Sequence, residues 1–205
     1  FVGGYFTSAG GLAANGIAKW DGSTWSALGS GLRSSDGGSV HSIEVSGTDV
    51  YVGGYFTSAG GLAANGIAKW DGSGWSALGA GVGDVPYVTE IALSGTEVFV
   101  NEWWAEPDFG ATAKGVARWN GSAWSTLGSA GLGMNRAVWT TAVSGSDLYV
   151  GGEFTRAGAV AANKIAKWNG SSWSALGAGL NGTVYAIAVS GTDVYVGGSF
   201  TSAGG

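Results

Sequence analysis

Cysteine is absent from this sequence, and histidine, methionine and proline are nearly so, at one, one and two residues. Without cysteine there are no disulfides, no thiolate nucleophile and no cysteine-ligated zinc, and the redox compartment stays open. Basic residues are scarce too. Nine Lys+Arg against 14 Asp+Glu leave a net charge of −5, which is no electrostatic footprint for nucleic acid. No apolar run is long enough to cross a bilayer as a helix, so neither nucleic acid nor a membrane is expected as a partner. Sustained helical periodicity with caps is missing as well, which predicts an all-β chain. The Gly-rich segment Ser58–Gly66 lacks the Gly-Lys-Ser/Thr ending and following helix of a phosphate loop and reads as turns. No metal site and no cofactor is expected.

Glycine and tryptophan are present in abundance, 41 and 11 residues in a chain of 205. A hydrophobic share of 45 % argues against disorder, and the missing Gly-X-Y period excludes collagen. These residues are arranged as a repeat. Residues 2–30 and 52–80 are the same text except at two positions, Thr24/Gly74 and Ser30/Ala80. Weaker copies occupy Val98–Leu127 and Leu148–Leu176, and a truncated one begins at Val194. Trp25, Trp75, Trp124 and Trp173 set a period of 50, 49 and 49 residues. The preceding Trp20, Trp70, Trp119 and Trp168 keep step. A period in this range is the mark of propeller-type repeats. One domain over 1–205 is expected, with repeats at about 1–38, 39–86, 87–135 and 136–182 and a partial one at 183–205.

Each repeat reads as four short strands. The first is Val40–Val45, with copies at Val88–Leu93, Val138–Val143 and Val184–Val189, each followed by a Ser-Gly-Thr/Ser turn. The second is Val50–Gly53 and its relatives. The third, Gly66–Trp70, ends at Asp71-Gly72, matched by Asp21-Gly22, Asn120-Gly121 and Asn169-Gly170, which predicts type I′ turns. The fourth carries Trp75. On the first strand, small residues (Ser42, Glu44; Ala186, Ala188) alternate with large ones (His41, Ile43, Val45; Tyr185, Ile187, Val189), as sheets packed on both faces require. The predicted fold is all-β, a β-propeller of four-stranded antiparallel blades.

The Gly-Gly closing the second strand (Gly3-Gly4, Gly53-Gly54, Gly151-Gly152, Gly197-Gly198), with an aromatic residue in the third strand and Trp in the fourth, resembles the kelch-type blade of galactose-oxidase-like propellers. Two departures stand out: Trp in the third strand where such blades carry Tyr, and Asn101-Glu102 in place of Gly-Gly. The resemblance implies fold only. The copper site of galactose oxidase uses a Tyr-Cys crosslink and histidines; a chain with no Cys and one His does not carry it.

Five second strands but four of each other kind suggest a four-bladed ring closed by a hybrid blade, or a piece of a larger ring; the chain reads as a fragment or processed segment. An acid opens each second strand (Asp49, Glu97, Asp147, Asp193) and a base ends each third (Lys69, Arg118, Lys167), so these are expected to pair across strands. Lys19 has no acid in its own repeat, and Asp193 is expected to serve it if the ring closes.

Variation between copies falls in the loops after strands two and four, where recognition on a rigid scaffold resides. The largest departure is Asn101–Thr112, which brings Glu102, Trp103, Trp104, Glu106 and Asp108 into a loop otherwise free of charge. With Arg136 and Trp139 these are the candidate ligand-binding residues, aromatic platforms beside carboxylates. Filling of the space left by the missing Gly-Gly is the alternative. The Trp pairs are read as structural, as cross-strand aromatic contacts. His41, at a position held by Thr89, Trp139 and Tyr185 elsewhere, is read as a packed strand residue.

The expected function is a non-enzymatic binding module, secreted or at the cell surface, taking a protein or carbohydrate on its variable-loop face. Three alternatives stand beside it. One is a lectin-like propeller. Another is a glycosidase or lyase using Glu102 and Glu106, since paired acids flank a scissile glycosidic bond at roughly 5–9.5 Å. The last is a self-assembling repeat protein joined through its terminal strands.

Overall fold

A computed structural model describes residues 1–35, 37–82, 87–102, 115–128 and 133–204. Every regular element among them is a β-strand, and all pairings are antiparallel. The chain divides into two compact units, Phe1–Ile91 and Ala92–Gly205, with the strand Val88–Ser94 running across the division.

The predicted four-strand unit is present. In the first unit Ser39–Ser46, Asp49–Tyr55, Ile67–Trp70 and Trp75–Ala77 lie side by side in chain order. In the second, Val138–Ser144, Asp147–Gly152, Ile165–Trp168 and Trp173–Ala175 repeat the arrangement. A further four-stranded sheet runs from Val88–Ser94 through Glu97–Glu102 and Val116–Trp119 to Trp124–Thr126. The sheets nearest the termini are shorter. Val2–Gly3, Ile17–Trp20 and Trp25–Ala27 form a three-stranded sheet, and Val184–Ser190 pairs with Asp193–Gly198 alone.

The glycines of the second strand explain how these sheets pack. A Cβ on Gly53 would stand 2.6 Å from Val88 Cγ1 and 3.0 Å from Ile91 Cδ1, the first strand of the next repeat. Gly3 meets Val40 and Ile43 in the same way, and Gly151 meets Val184 and Ile187. The following Gly54 faces the Ser39 carbonyl oxygen, 2.0 Å from an added Cβ, which backbone cannot yield. Close approach of backbone to side chain is what glycine is for here. It lets Val50, Val52, Phe56 and Ala68 bury together with Ile17 and Leu32 in the first unit, and Leu148, Val150, Phe154 and Trp168 in the second. Each large side chain removed from water adds about 1.5–3 kcal/mol.

The third copy breaks the rule at both partners. Asn101 replaces the first glycine, and Thr141 stands where the other copies present Ile43, Ile91 and Ile187. Asn101, Thr140 and Thr141 are the buried polar residues of the described core. A larger, polar residue on one strand is matched by a smaller, polar one at the position that faces it elsewhere.

Three sequence expectations are corrected. First, the first strand does not alternate simply. Its register with the second strand shifts between Val40 and Ser42, between Val138 and Thr140, and between Val184 and Ala186. Each shift is a one-residue bulge. It places Val40 and Ile43 on the same side, both against Gly3. Second, the Asp/Asn-Gly turns are not type I′, because only the glycines (Gly22, Gly72, Gly121, Gly170) have positive φ. Trp20 pairs with Trp25, leaving a four-residue connection in which Asp21 Oδ1 accepts the backbone N–H groups of Ser23 and Thr24 at 2.8 Å. The side chain replaces the backbone turn. Third, the segment between strands two and three is not all turn: Ser8–Ala9 pairs with Leu12–Ala13, and Ser58–Ala59 with Leu62–Ala63. Gly10 sits at φ 58° with no room for a Cβ, which would be 2.3 Å from Trp25 Cδ1.

Candidate functional site

Two sets of cross-strand contacts recur through the repeats. Lys69 Nζ lies 2.9 Å from Asp49 Oδ2, Lys167 Nζ lies 3.0 Å from Asp147 Oδ2, and Arg118 bonds Glu97. Donation to the facing carboxylate raises the pKa of Lys69 and of Lys167. Lys19 has its Nζ 5.9 Å from the Phe1 ring centroid. The Trp pairs flank each four-residue turn with ring centroids at 5.2 Å (Trp20/Trp25), 5.4 Å (Trp70/Trp75 and Trp119/Trp124) and 5.3 Å (Trp168/Trp173). Cross-strand stacking accounts for them.

The bulge is where copies with a common scaffold differ most visibly. The inserted residue is His41, Trp139 or Tyr185 in the three described bulges, and Thr89 stands at the matching position. A bulge bends the strand and re-aims its side chain. His41 is therefore not the packed strand residue expected. Its exposed ring stands edge-on to Tyr87 at 4.7 Å, with Ser39 Oγ 2.9 Å from Nε2 and Tyr55 beyond, 6.2 Å from Tyr87. Partial desolvation holds the imidazole pKa below its ordinary value. Trp139 packs edge-on to Tyr185 at 6.2 Å.

In the fourth repeat the segment between the second and third strands carries charge where the first two repeats have none. Glu153, Arg156 and Lys164 replace Tyr55, Ser58 and Gly66 of the second repeat. Backbone bonds bring them beside Arg136. Glu153 N donates to Ala137 O at 2.9 Å, and Asn135 Oδ1 accepts from Thr155 N and Arg156 N at 2.9 and 3.0 Å. Arg136 and Arg156 are exposed. Lys164 is the positive-φ residue other than glycine among the described residues, at φ 66°, and its Nζ donates to Glu153 O at 2.8 Å. A left-handed backbone costs an L-residue roughly 1–2 kcal/mol, and such outliers concentrate at functional sites.

Of the predicted ligand-binding residues, Arg136 lies beside this cluster, and Trp139 lies on the strand that follows it, with its ring against Tyr185. Glu102 ends the strand Glu97–Glu102, while Trp103, Trp104, Glu106 and Asp108 lie outside the described residues, as does the body of the Asn101–Thr112 loop. Sequence reading missed Glu153, Arg156 and Lys164 as site residues. The signal was there: laid over residues 55–66, each replaces an uncharged residue. Asn120 and Asn169, in Asn-Gly-Ser sequences, have their Oδ1 atoms occupied by backbone N–H groups of the turn, and Asn181 bonds Thr201 N and Ser202 N.

No protein-family model matches the chain, and no curated protein does. Two designed proteins share its fold. The crystal structure of the computationally designed Ika4 protein aligns with a TM-score of 0.51 at 19 % identity, over 78 % of this chain and 85 % of that one. The computationally designed Ika8 protein aligns with a TM-score of 0.51 at 20 % identity, over 82 % of this chain and 45 % of Ika8, so the chain spans less than half of that protein. At these identities the likeness concerns the fold.

Proposed function

We propose that the chain is a non-enzymatic binding module, built as a kelch-like β-propeller or part of one, secreted or held at the cell surface. Repeated four-stranded sheets, glycines that admit the next repeat, and all-β fold neighbours support the architecture. One observation carries the function. In a chain that copies its scaffold nearly verbatim, Arg136, Glu153, Arg156 and the strained Lys164 depart together, with Trp139 on the strand that follows Arg136. Exposed basic groups with an aromatic side chain on the adjoining strand suit a carbohydrate bearing carboxylate or sulfate, or an acidic peptide. The lectin-like reading is the more specific form of this proposal.

Glycan and peptide arrays probed with the full chain test it. Trp139→Ala is expected to weaken the captured ligand by tenfold or more with little change in melting temperature. Lys164→Gly is expected to weaken it while raising stability by about 1 kcal/mol through relief of the left-handed backbone. Arrays on which the two variants and the parent protein give the same signal end this reading.

A further inference from the structure

The dipeptide Asn-Gly occurs five times, at Asn15, Asn65, Asn120, Asn169 and Asn181. In this pairing an asparagine side chain reacts most readily with its own backbone, because glycine gives the following amide nitrogen no steric cover. The five copies sit in three different settings. At Asn15 and Asn65 the glycine N–H is engaged: Gly16 N donates to Phe6 O at 2.8 Å and Gly66 N to Phe56 O at 2.9 Å. The side-chain amide is held too, Asn15 Nδ2 donating to Ser30 O at 2.9 Å and Asn65 Nδ2 to Ala80 O at 3.2 Å. Asn181 is fixed at both side-chain atoms, its Nδ2 donating to Thr201 Oγ1 at 2.8 Å and its Oδ1 accepting from Thr201 N and Ser202 N. Its glycine is walled in, since a Cβ on Gly182 would run into the Ser199 carbonyl oxygen.

Asn120 and Asn169 differ in each respect. Both are exposed, and a Cβ on Gly121 or Gly170 would meet nothing within 4 Å. Among the described residues neither of these glycine N–H groups has a hydrogen-bond partner. Each Oδ1 accepts two backbone N–H groups, from Ser122 and Ala123 at 3.0 and 2.9 Å and from Ser171 and Ser172 at 3.0 and 2.9 Å. We infer that Asn120 and Asn169 are sites of self-catalysed deamidation, the turn around each acting on its own side chain. Attack on Cγ develops charge on Oδ1, and paired backbone N–H groups aimed at that oxygen stabilise it as an oxyanion hole does. The glycine nitrogen gives up its proton and bonds to Cγ; the Cγ–Nδ2 bond breaks and the side-chain nitrogen leaves as ammonia. Water then opens the cyclic imide. Opening at Cγ gives aspartate, and opening at the backbone carbonyl gives isoaspartate, with the chain rerouted through the side chain. The fold selects between them. Asp21 and Asp71 occupy the same turn in the first two repeats, with Oδ1 accepting the same pair of N–H groups at 2.8 Å. Aspartate is therefore a product that this turn already accommodates, with charge-assisted bonds in place of neutral ones. Isoaspartate lengthens the backbone inside the turn and would displace both N–H groups.

The test is to keep the full chain folded at mildly alkaline pH and to map its asparagines by tandem mass spectrometry, beside a sample unfolded in urea. In the folded protein, conversion at Asn120 and Asn169 is expected to run at least tenfold faster than at Asn15, Asn65 and Asn181, where reaction waits on local opening. In urea the five rates are expected to lie within a few-fold of one another, and folding to leave those of Asn120 and Asn169 at or above their values there. The ratio of aspartate to isoaspartate at these two residues is expected to be several-fold higher in the folded protein than in urea. Five similar rates in the folded protein overturn the inference. So does an absence of conversion at Asn120 and Asn169, a rate there that falls on folding, or a product ratio that folding leaves unchanged.

Discussion

Residues 2–30 and 52–80 differ at two positions, yet they do not lead the same life in the fold. Phe56 is fully buried and Phe6 is half-buried; Tyr5 is 75 % exposed where Tyr55 is partly covered. Trp75 is buried with its indole bonded to Leu28, while Trp25 stands half-exposed. Lys69 has a carboxylate at 2.9 Å, and Lys19 has an aromatic ring. Near-identical text therefore gives the same third and fourth strands in both places, but the extent of the second strand, burial and pairing are conferred by the repeat on either side. Stability of this kind is a sum of units and the interfaces between them.

The largest test of that contrast is the tryptophan pair. Trp75→Ala is expected to cost about 3–5 kcal/mol, the range for emptying a buried aromatic site. Trp25→Ala is expected to cost about 1–2 kcal/mol, scaled to the smaller area it removes from water. Urea melts of the two variants at low protein concentration measure both, and equal losses would erase the distinction between inner and terminal copies.

A smaller difference is expected at the lysines. Lys69→Ala should cost about 0.2–1 kcal/mol, the value of a partly exposed ion pair, and Lys19→Ala less. The folded pKa of Lys69 lies above its ordinary 10.5, so its contribution is complete below that value and is lost as pH rises through the folded pKa. Melting Lys69→Ala beside the parent protein between pH 9 and pH 12 measures this: the difference between them should shrink as pH rises.

The smallest effect lies in the turn where the two copies differ by Thr24 and Gly74. Asp71 accepts turn N–H bonds from Gly74 and Ser73, which lower its carboxyl pKa from 3.8 to about 2, and Asp21 is lowered further because the Thr24 hydroxyl adds a bond that Gly74 cannot make. With the folded pKa depressed, the stabilisation is present above about pH 4 and disappears as pH falls through 2. Asn fills this role in the later copies, so Asp71→Asn and Asp21→Asn should both reduce the acid sensitivity, Asp21→Asn the more. Carboxyl chemical shifts of the parent protein followed by NMR from pH 6 to pH 1.5 provide the check; an Asp21 that titrates at or above Asp71 would mean that the Thr24 hydroxyl contributes nothing.

What the sequence made legible was everything set by short range and by repetition. The strand positions follow from valine alternation and turn residues, and the Asp49–Lys69 and Asp147–Lys167 pairs follow from their fixed offsets. The bulge was hidden, because Val40-His41-Ser42 reads as an unbroken strand until its hydrogen-bonded partner is known. The turn type was misjudged for a related reason: Asp-Gly signals a two-residue turn only when strand pairing ends beside it, and here the ladder stops at Trp20 and Trp25. For the candidate site, Trp139 and Arg136 were visible as outliers near a variable loop. Lys164 was not, since its meaning lies in a left-handed backbone that glycine normally occupies.

Asn101 and Thr141 sit on consecutive repeats, and each departs from a pattern that the other copies keep. A segment transplanted from this chain therefore carries compatibility only if the cut spares such couples. Shuffling at the loop after strand four would part Asn101 from Thr141 and set one of them against a partner shaped for glycine or isoleucine. The interchangeable module runs instead from one strand pair to the next, offset from the visible sequence repeat, and recombination of these repeats is constrained accordingly.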